Sequence, residues 1–241
     1  MNTEKILLQV KKAIECYKRD EAFCTYQILT ELAADLFEDI RSNTNKKNGA
    51  GKIEKVLKDI FKNAAREGNI KMMQYTTIQN GKQYALDGHR LLELNTPIDA
   101  PVWERDNEDA DLQKYYDVLR IMPATTPTLE VKAPDLLELK AFNKYYNKSA
   151  KTCVLLEAAN GEKIAVNSRY LENALNNFTD AKIYASEDGT RRNPIYIVGN
   201  EGRLLILPIN FYSEDLAPGC YEYISKKRFS LDPEKENINA A

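Results

Sequence analysis

Met72-Met73-Gln74-Tyr75-Thr76-Thr77-Ile78-Gln79-Asn80-Gly81-Lys82-Gln83-Tyr84-Ala85-Leu86 is the stretch that decides the fold class. Up to Gly68 apolar residues recur at helical spacing; here the period becomes that of strands. Met72 to Ile78 and Gln83 to Leu86 read as two strands, and the Asn80-Gly81 pair between them is the strongest short hairpin signal. Leu91, Leu92 and Leu94 carry a further strand, stopped by Pro97.

Upstream, Ile6, Leu7, Val10, Ile14 and Tyr17 share one helical face. Leu29, Leu32, Ala33, Leu36, Phe37 and Ile40 do the same in a second helix. The polar run Ser42 to Gly51 has a linker composition. A third helix follows with Ile53, Val56, Leu57, Ile60 and Ala64 as its stripe, and Gly68 is placed to cap it. Downstream of an acidic connector, Asp99 to Asp117, Leu129 to Lys132 reads as a strand and Pro134 opens a helix to about Tyr146. Val154 to Leu156 and Lys163 to Val166 form a hairpin around Asn160-Gly161, and Ser168 is placed to cap a short helix through Phe178. Strands over Lys182 to Ala185, Ile195 to Val198 and Leu204 to Ile209 close the pattern. Helices separated by antiparallel hairpins predict an α+β protein.

Composition narrows function. Net charge is −2 over 241 residues, so no strong global pull on nucleic acid is expected, although local basic faces remain open. No signal segment and no run near the roughly 20 apolar residues of a membrane span is visible, so the expected compartment is cytoplasmic. Cys16, Cys24, Cys153 and Cys220 are scattered and read as reduced thiols. The single histidine, His89, excludes His-rich metal sites and His-pair acid/base chemistry. Asp87 beside His89 has no nucleophile motif, Gly49 to Gly51 lacks a P-loop ending, and Asp106, Glu108, Asp109 and Asp111 lack the spacing of an EF-hand. The chain reads as non-enzymatic, with neither cofactor nor metal.

Two motifs carry a resemblance. Asp87-Gly88-His89-Arg90-Leu91 resembles a signature segment of the bacterial DNA polymerase III β subunit, the sliding clamp. Ala165 to Leu175 resembles that family's late strand-to-helix step, and Leu205-Ile206-Leu207-Pro208-Ile209 is similar to its closing strand. Val118 to Pro123 is faintly like its inter-domain connector. The resemblance implies DNA-clamp-like repeats of helix plus antiparallel sheet, with an added N-terminal helical segment. The boundaries it gives are an N-terminal helical extension over 1–47, a shortened clamp-like domain with the acidic connector over 48–125, a C-terminal clamp-like domain over 126–211, and a tail over 212–241.

The function so implied is that of a replication accessory (processivity) factor of phage or mobile-element type. Its partners would be polymerase-type proteins carrying a short hydrophobic peptide, and duplex DNA contacted without reading its sequence. Gly88, His89, Arg90 and Leu91 would form one wall of the peptide pocket, and Leu205, Ile206, Leu207, Pro208 and Ile209 the other. Lys55, Lys62 and Arg66 on the third helix, and Lys140, Lys144 and Lys148 on the helix from Pro134, would face DNA. The same spacing is that of any solvated amphipathic helix, and Leu205 to Ile209 is also what a buried closing strand looks like. With room for two clamp domains, a closed homo-oligomeric ring would need three copies. The alternative is a clamp-fold adaptor or decoy that forms no ring and works through protein-protein contacts. Asn210 stands where the family has an arginine, and the tail could lie across the pocket.

Overall fold

The structure, a computed structural model, describes residues 3–67, 71–103, 122–125, 127–145, 153–158, 161, 163–185, 194–209 and 220–222. Gly68, Lys148, Asn160, Asn210 and most of the acidic connector and tail lie outside them. The chain divides into two compact units. One comprises 1–54 with 98–100, the other 55–97 with 101–241.

The first unit is a helical hairpin. Helix α1 (Thr3–Lys18) and helix α2 (Ala22–Lys47) run antiparallel, turning at Asp20, which takes a left-handed φ of 59°. Ala13, Cys16 and Leu32 are buried, and Lys5 pairs with Asp35 at 2.9 Å across the hairpin. The polar run from Ser42 does not interrupt α2, contrary to its linker composition; helix continues through Lys47. Buried Asn45 explains part of this. Its amide donates to the Asp99 carbonyl at 2.8 Å and its Oδ1 accepts from the Asp99 N–H at 3.2 Å, so a polar residue holds a neighbouring strand of chain.

The second unit is mixed α+β. Helix α3 (Gly51–Arg66), which begins in the first unit, is followed by a 3-10 turn (Lys71–Gln74) and strands β1 (Thr77–Gln79), β2 (Lys82–Leu86) and β3 (Arg90–Leu94). Strand was expected from Met72; the adjacent apolar pair Met72-Met73 lies instead in the 3-10 turn, and Met73 packs on the core. Strand β4 (Leu129–Val131) precedes helix α4 (Leu136–Tyr145), capped by Asp135, whose Oδ1 accepts the N–H groups of Leu137 and Glu138. Strands β5 (Cys153–Glu157) and β6 (Lys163–Asn167) lead into helix α5 (Ser168–Asn177). Its cap is Asn167, not Ser168; Ser168 is buried and its hydroxyl donates to Asn143. Strands β7 (Lys182–Ala185), β8 (Ile195–Gly199), β9 (Gly202–Ile206) and β10 (Cys220–Glu222) are the remaining elements among the described residues.

Seven strands form one sheet in the order β1-β2-β3-β9-β8-β7-β4, and β10-β5-β6 form a second. Strands from both stretches 48–125 and 126–211 thus share one sheet. A helix followed by a three-strand antiparallel meander occurs twice, as α3-β1-β2-β3 and α5-β7-β8-β9, and the two last strands meet antiparallel with Leu92 opposite Leu204. Strand pleating sends alternate residues to opposite faces. One face carries Leu86, Leu91, Tyr196 and Leu205, closed over by Met122 and flanked by Trp103. Leu92, Leu204 and Ile197 belong to the other parity and are wholly buried, each contributing roughly 1.5–3 kcal/mol.

One buried ionic group spans the sheet centre. Arg203 Nε donates to Glu93 Oε1 at 2.8 Å, Lys82 reaches the same oxygen at 2.9 Å, and the Tyr84 hydroxyl donates to Oε2 at 3.2 Å. Burial raises the Glu93 carboxyl, but the hydrogen bonds from Lys82 and Arg203 outweigh it and hold the group below its ordinary range. Burial, then the Glu93 charge, pushes the Tyr84 phenol up to about 12.

Parallel pairing of β10 with β5 sets Cys220 opposite Cys153 in register. Cys153 is disulfide-bonded, which corrects the reading of four reduced thiols; Cys16 and Cys24 are free. No helix among the described residues is long and apolar enough to cross a membrane.

Candidate nucleic-acid interface

The site begins at the turn between β2 and β3. Leu86 and Leu91 are paired, Asp87 N–H donates to the Arg90 carbonyl, and the two-residue loop is Gly88-His89. Gly88 has a φ of 85° while His89 does not take positive φ, the pattern of a type II′ hairpin. Asp87 locks the loop: its Oδ1 accepts the backbone N–H of His89 at 3.0 Å and of Arg90 at 2.8 Å.

The Arg90 side chain turns inward and is fully enclosed. Its Nε and Nη2 fork onto Asp87 Oδ2 at 2.8 and 2.6 Å, Nη1 reaches Asp59 Oδ2 on α3 at 2.6 Å, and the guanidinium lies 3.9 Å over the Tyr170 ring on α5. Burial alone would lower its pKa, but Asp87 and Asp59 more than restore the charge. Asn63 on α3 donates to the same Asp87 oxygen at 3.1 Å, and His89 meets Glu67 at 3.0 Å. Burial, then Asp87, raises the Tyr170 phenol, with Arg90 opposing. One arginine thus ties the turn to α3 and α5.

A groove of about 670 Å³ opens beside this anchor, lined by α3, α4, α5 and the cap of α5. Its cations are Lys62, Arg66, Lys140, Lys144 and Arg169, against two acids, Asp59 and Glu172. Asp59 is bonded by Arg90, and Glu172 accepts from Asn143 at 2.7 Å. Six asparagines and Tyr170 make up the remaining lining, so no aliphatic side chain contributes. Asn143 also donates to the Ser168 carbonyl, and Lys140 donates to Asn176 at 2.7 Å, fixing α4 against α5. Small-molecule pockets are mostly apolar. A polar groove with excess cations and amide groups matches a phosphate backbone instead.

Four residues expected to face DNA, Lys62, Arg66, Lys140 and Lys144, come together in this groove although they lie about 80 positions apart in two groups. Lys55 is exposed outside it, and Lys148 lies beyond the described residues. Sequence reasoning missed Arg169, Tyr170 and the asparagines; Asn167, Arg169 and Tyr170 stand at the start of a capped helix, whereas the other asparagines are spread over three helices without a local signal.

The expected peptide walls are distributed differently. Arg90 is sealed in its ion pairs, Leu91 and Leu205 belong to the core cluster on one sheet face, and Ile206 has the opposite parity. Gly88, His89 and Leu207 are exposed, and Pro208 and Ile209 are half-buried. The two segments do adjoin, because Arg90 pairs with Ile206 and Leu207 N–H donates to the His89 carbonyl at 2.9 Å.

At the α1–α2 turn, ligand atoms of Cys16, Glu21 and Cys24 lie within 4.8 Å of one another, a proximity their sequence spacing did not reveal. Arg19 occupies this cluster, 3.7 Å from the Cys16 sulfur and 3.3 Å from Glu21, where it would oppose a second cation. No protein-family model, no curated protein and no solved structure matches the chain.

Proposed function

We propose that the chain is a clamp-like, non-enzymatic DNA-contacting protein that holds the duplex backbone in the groove between α3, α4 and α5. The observation that carries this reading is the convergence of Lys62, Arg66, Lys140, Lys144 and Arg169 on one concavity without aliphatic residues in a protein of net charge −2. Clustered charge on an otherwise acidic molecule gives a local field without a global one. The repeated unit of helix plus three-strand meander supports the clamp-like part of the proposal. The peptide pocket stays outside it, because Arg90 and Leu91 are committed to the interior.

The test is fluorescence anisotropy with two duplexes of unrelated sequence. Equal affinities for both are expected, with a loss of at least tenfold in Lys62→Glu/Lys144→Glu. Absence of binding at low salt, or a double variant that binds as well as the parent, would overturn the proposal.

A further inference from the structure

The helical hairpin of the first unit carries a second apolar face that its own fold does not use. On α1, Ala13 and Cys16 face α2, yet Leu7, Ile14 and Tyr17 are 54, 48 and 75% exposed. On α2, Leu32 faces α1, while Tyr26, Leu29, Phe37 and Ile40 are 48–70% exposed. Both stripes repeat at heptad-like spacing, Leu7 and Ile14 on one helix, Tyr26, Ala33 and Ile40 on the other.

At about 100° per residue, each stripe is rotated by roughly 100–120° from its helix's buried line, and in the same rotational sense. In an antiparallel pair, equal rotations of one sense bring both stripes to the same side of the hairpin. The result is one continuous face with no charged residue in either stripe. Glu31 and Glu38 lie on the opposite side of α2.

The size of this face identifies its occupant. Three aromatics at two-thirds exposure or more, with four half-exposed aliphatics, present on the order of 700–800 Å² of apolar surface. That exceeds the roughly 300–600 Å² of the largest patch on a typical monomer. It matches the about 800 Å² that each partner of a stable complex buries. A two-helix layer needs a second layer to bury such a face, and an identical hairpin supplies one by two-fold symmetry. We infer that the α1–α2 face docks a second copy of this chain, forming an intermolecular four-helix bundle.

Sedimentation equilibrium of the full chain tests this directly. The expected mass is twice the 27.5 kDa of one chain, falling to one chain in Tyr26→Glu/Phe37→Glu. Glu31→Lys, on the far side of α2, should remain dimeric. Far-UV circular dichroism checks that the variants keep their helices. Should the charged pair fail to fold, the milder Ile14→Ser/Phe37→Ser should raise the dimer dissociation constant at least tenfold with helix content retained. A wild-type monomer across the accessible concentrations overturns the inference, whether the face is then covered by the chain's own tail or left bare. A trimer, or a dimer indifferent to all the stripe substitutions, overturns it equally.

Discussion

Arg90 shows how one side chain can be misread when only its neighbours in sequence are considered. The clamp-family resemblance gives it a peptide-binding role; the structure spends its charge on Asp87, Asp59 and the Tyr170 ring. Removing one partner of a buried pair costs about 3–5 kcal/mol, because the other charge stays uncompensated in a low dielectric. Arg90→Ala should therefore lower unfolding stability by about that amount in urea titrations, since Asp87 is wholly buried. Asp59 is 45% exposed at its side chain, so Asp59→Asn should cost about 1 kcal/mol or less. Equal costs for the two substitutions would show that Arg90 is not anchored as described. Nothing in the sequence marks Asp59 as a partner of Arg90, 31 positions away on another element, which is why this anchor was not legible.

Elements were legible where local chemistry dictates geometry. Asn80 and Gly81 take φ values of 53° and 76°, as a type I′ hairpin demands, and the β1–β2 turn lies where it was expected. Legibility failed where tertiary contacts override composition. The run from Ser42 is helical partly because Asn45 finds Asp99, and Ser168 yields its expected capping role to Asn167 because Asn143 takes its hydroxyl. Gly202 belongs to a subtler class: it opens β9 with φ 154° directly against β3. A Cβ there would collide with the Glu93 carbonyl and the Leu94 backbone, neither of which can move without breaking the central pairing. Gly202→Ala should cost about 3 kcal/mol, the upper end of the usual overpacking range. Gly81→Ala should cost only the left-handed penalty of about 1–2 kcal/mol, because a Cβ there meets nothing within 4 Å. Thermal unfolding of the two variants side by side checks the ranking, and similar losses would refute the close approach of β9 to β3.

At the scale of the whole molecule, net charge and charge placement give opposite advice, and the proposed function rests on placement. A net charge of −2 argues against nucleic acid, yet five cations gather in one groove with their acids already bonded. Helical spacing revealed Lys62 and Arg66 as one stripe and Lys140 and Lys144 as another, but periodicity carries no information on whether two stripes face each other. Folding supplies that, and it adds Arg169 from a third helix. Each neutralised phosphate releases condensed counterions, so binding should depend steeply on salt. Five contacts predict a slope of log K against log salt near about −4.5 for duplex DNA. Lys62→Ala/Lys144→Ala should reduce its magnitude by about 2, since each lost phosphate contact removes about 0.9. Lys55→Ala removes the same kind of charge from the same helix but outside the groove, and should leave the slope unchanged. If Lys55 matters as much as Lys62, binding follows the basic character of α3 in general, and the groove loses its claim to be the site.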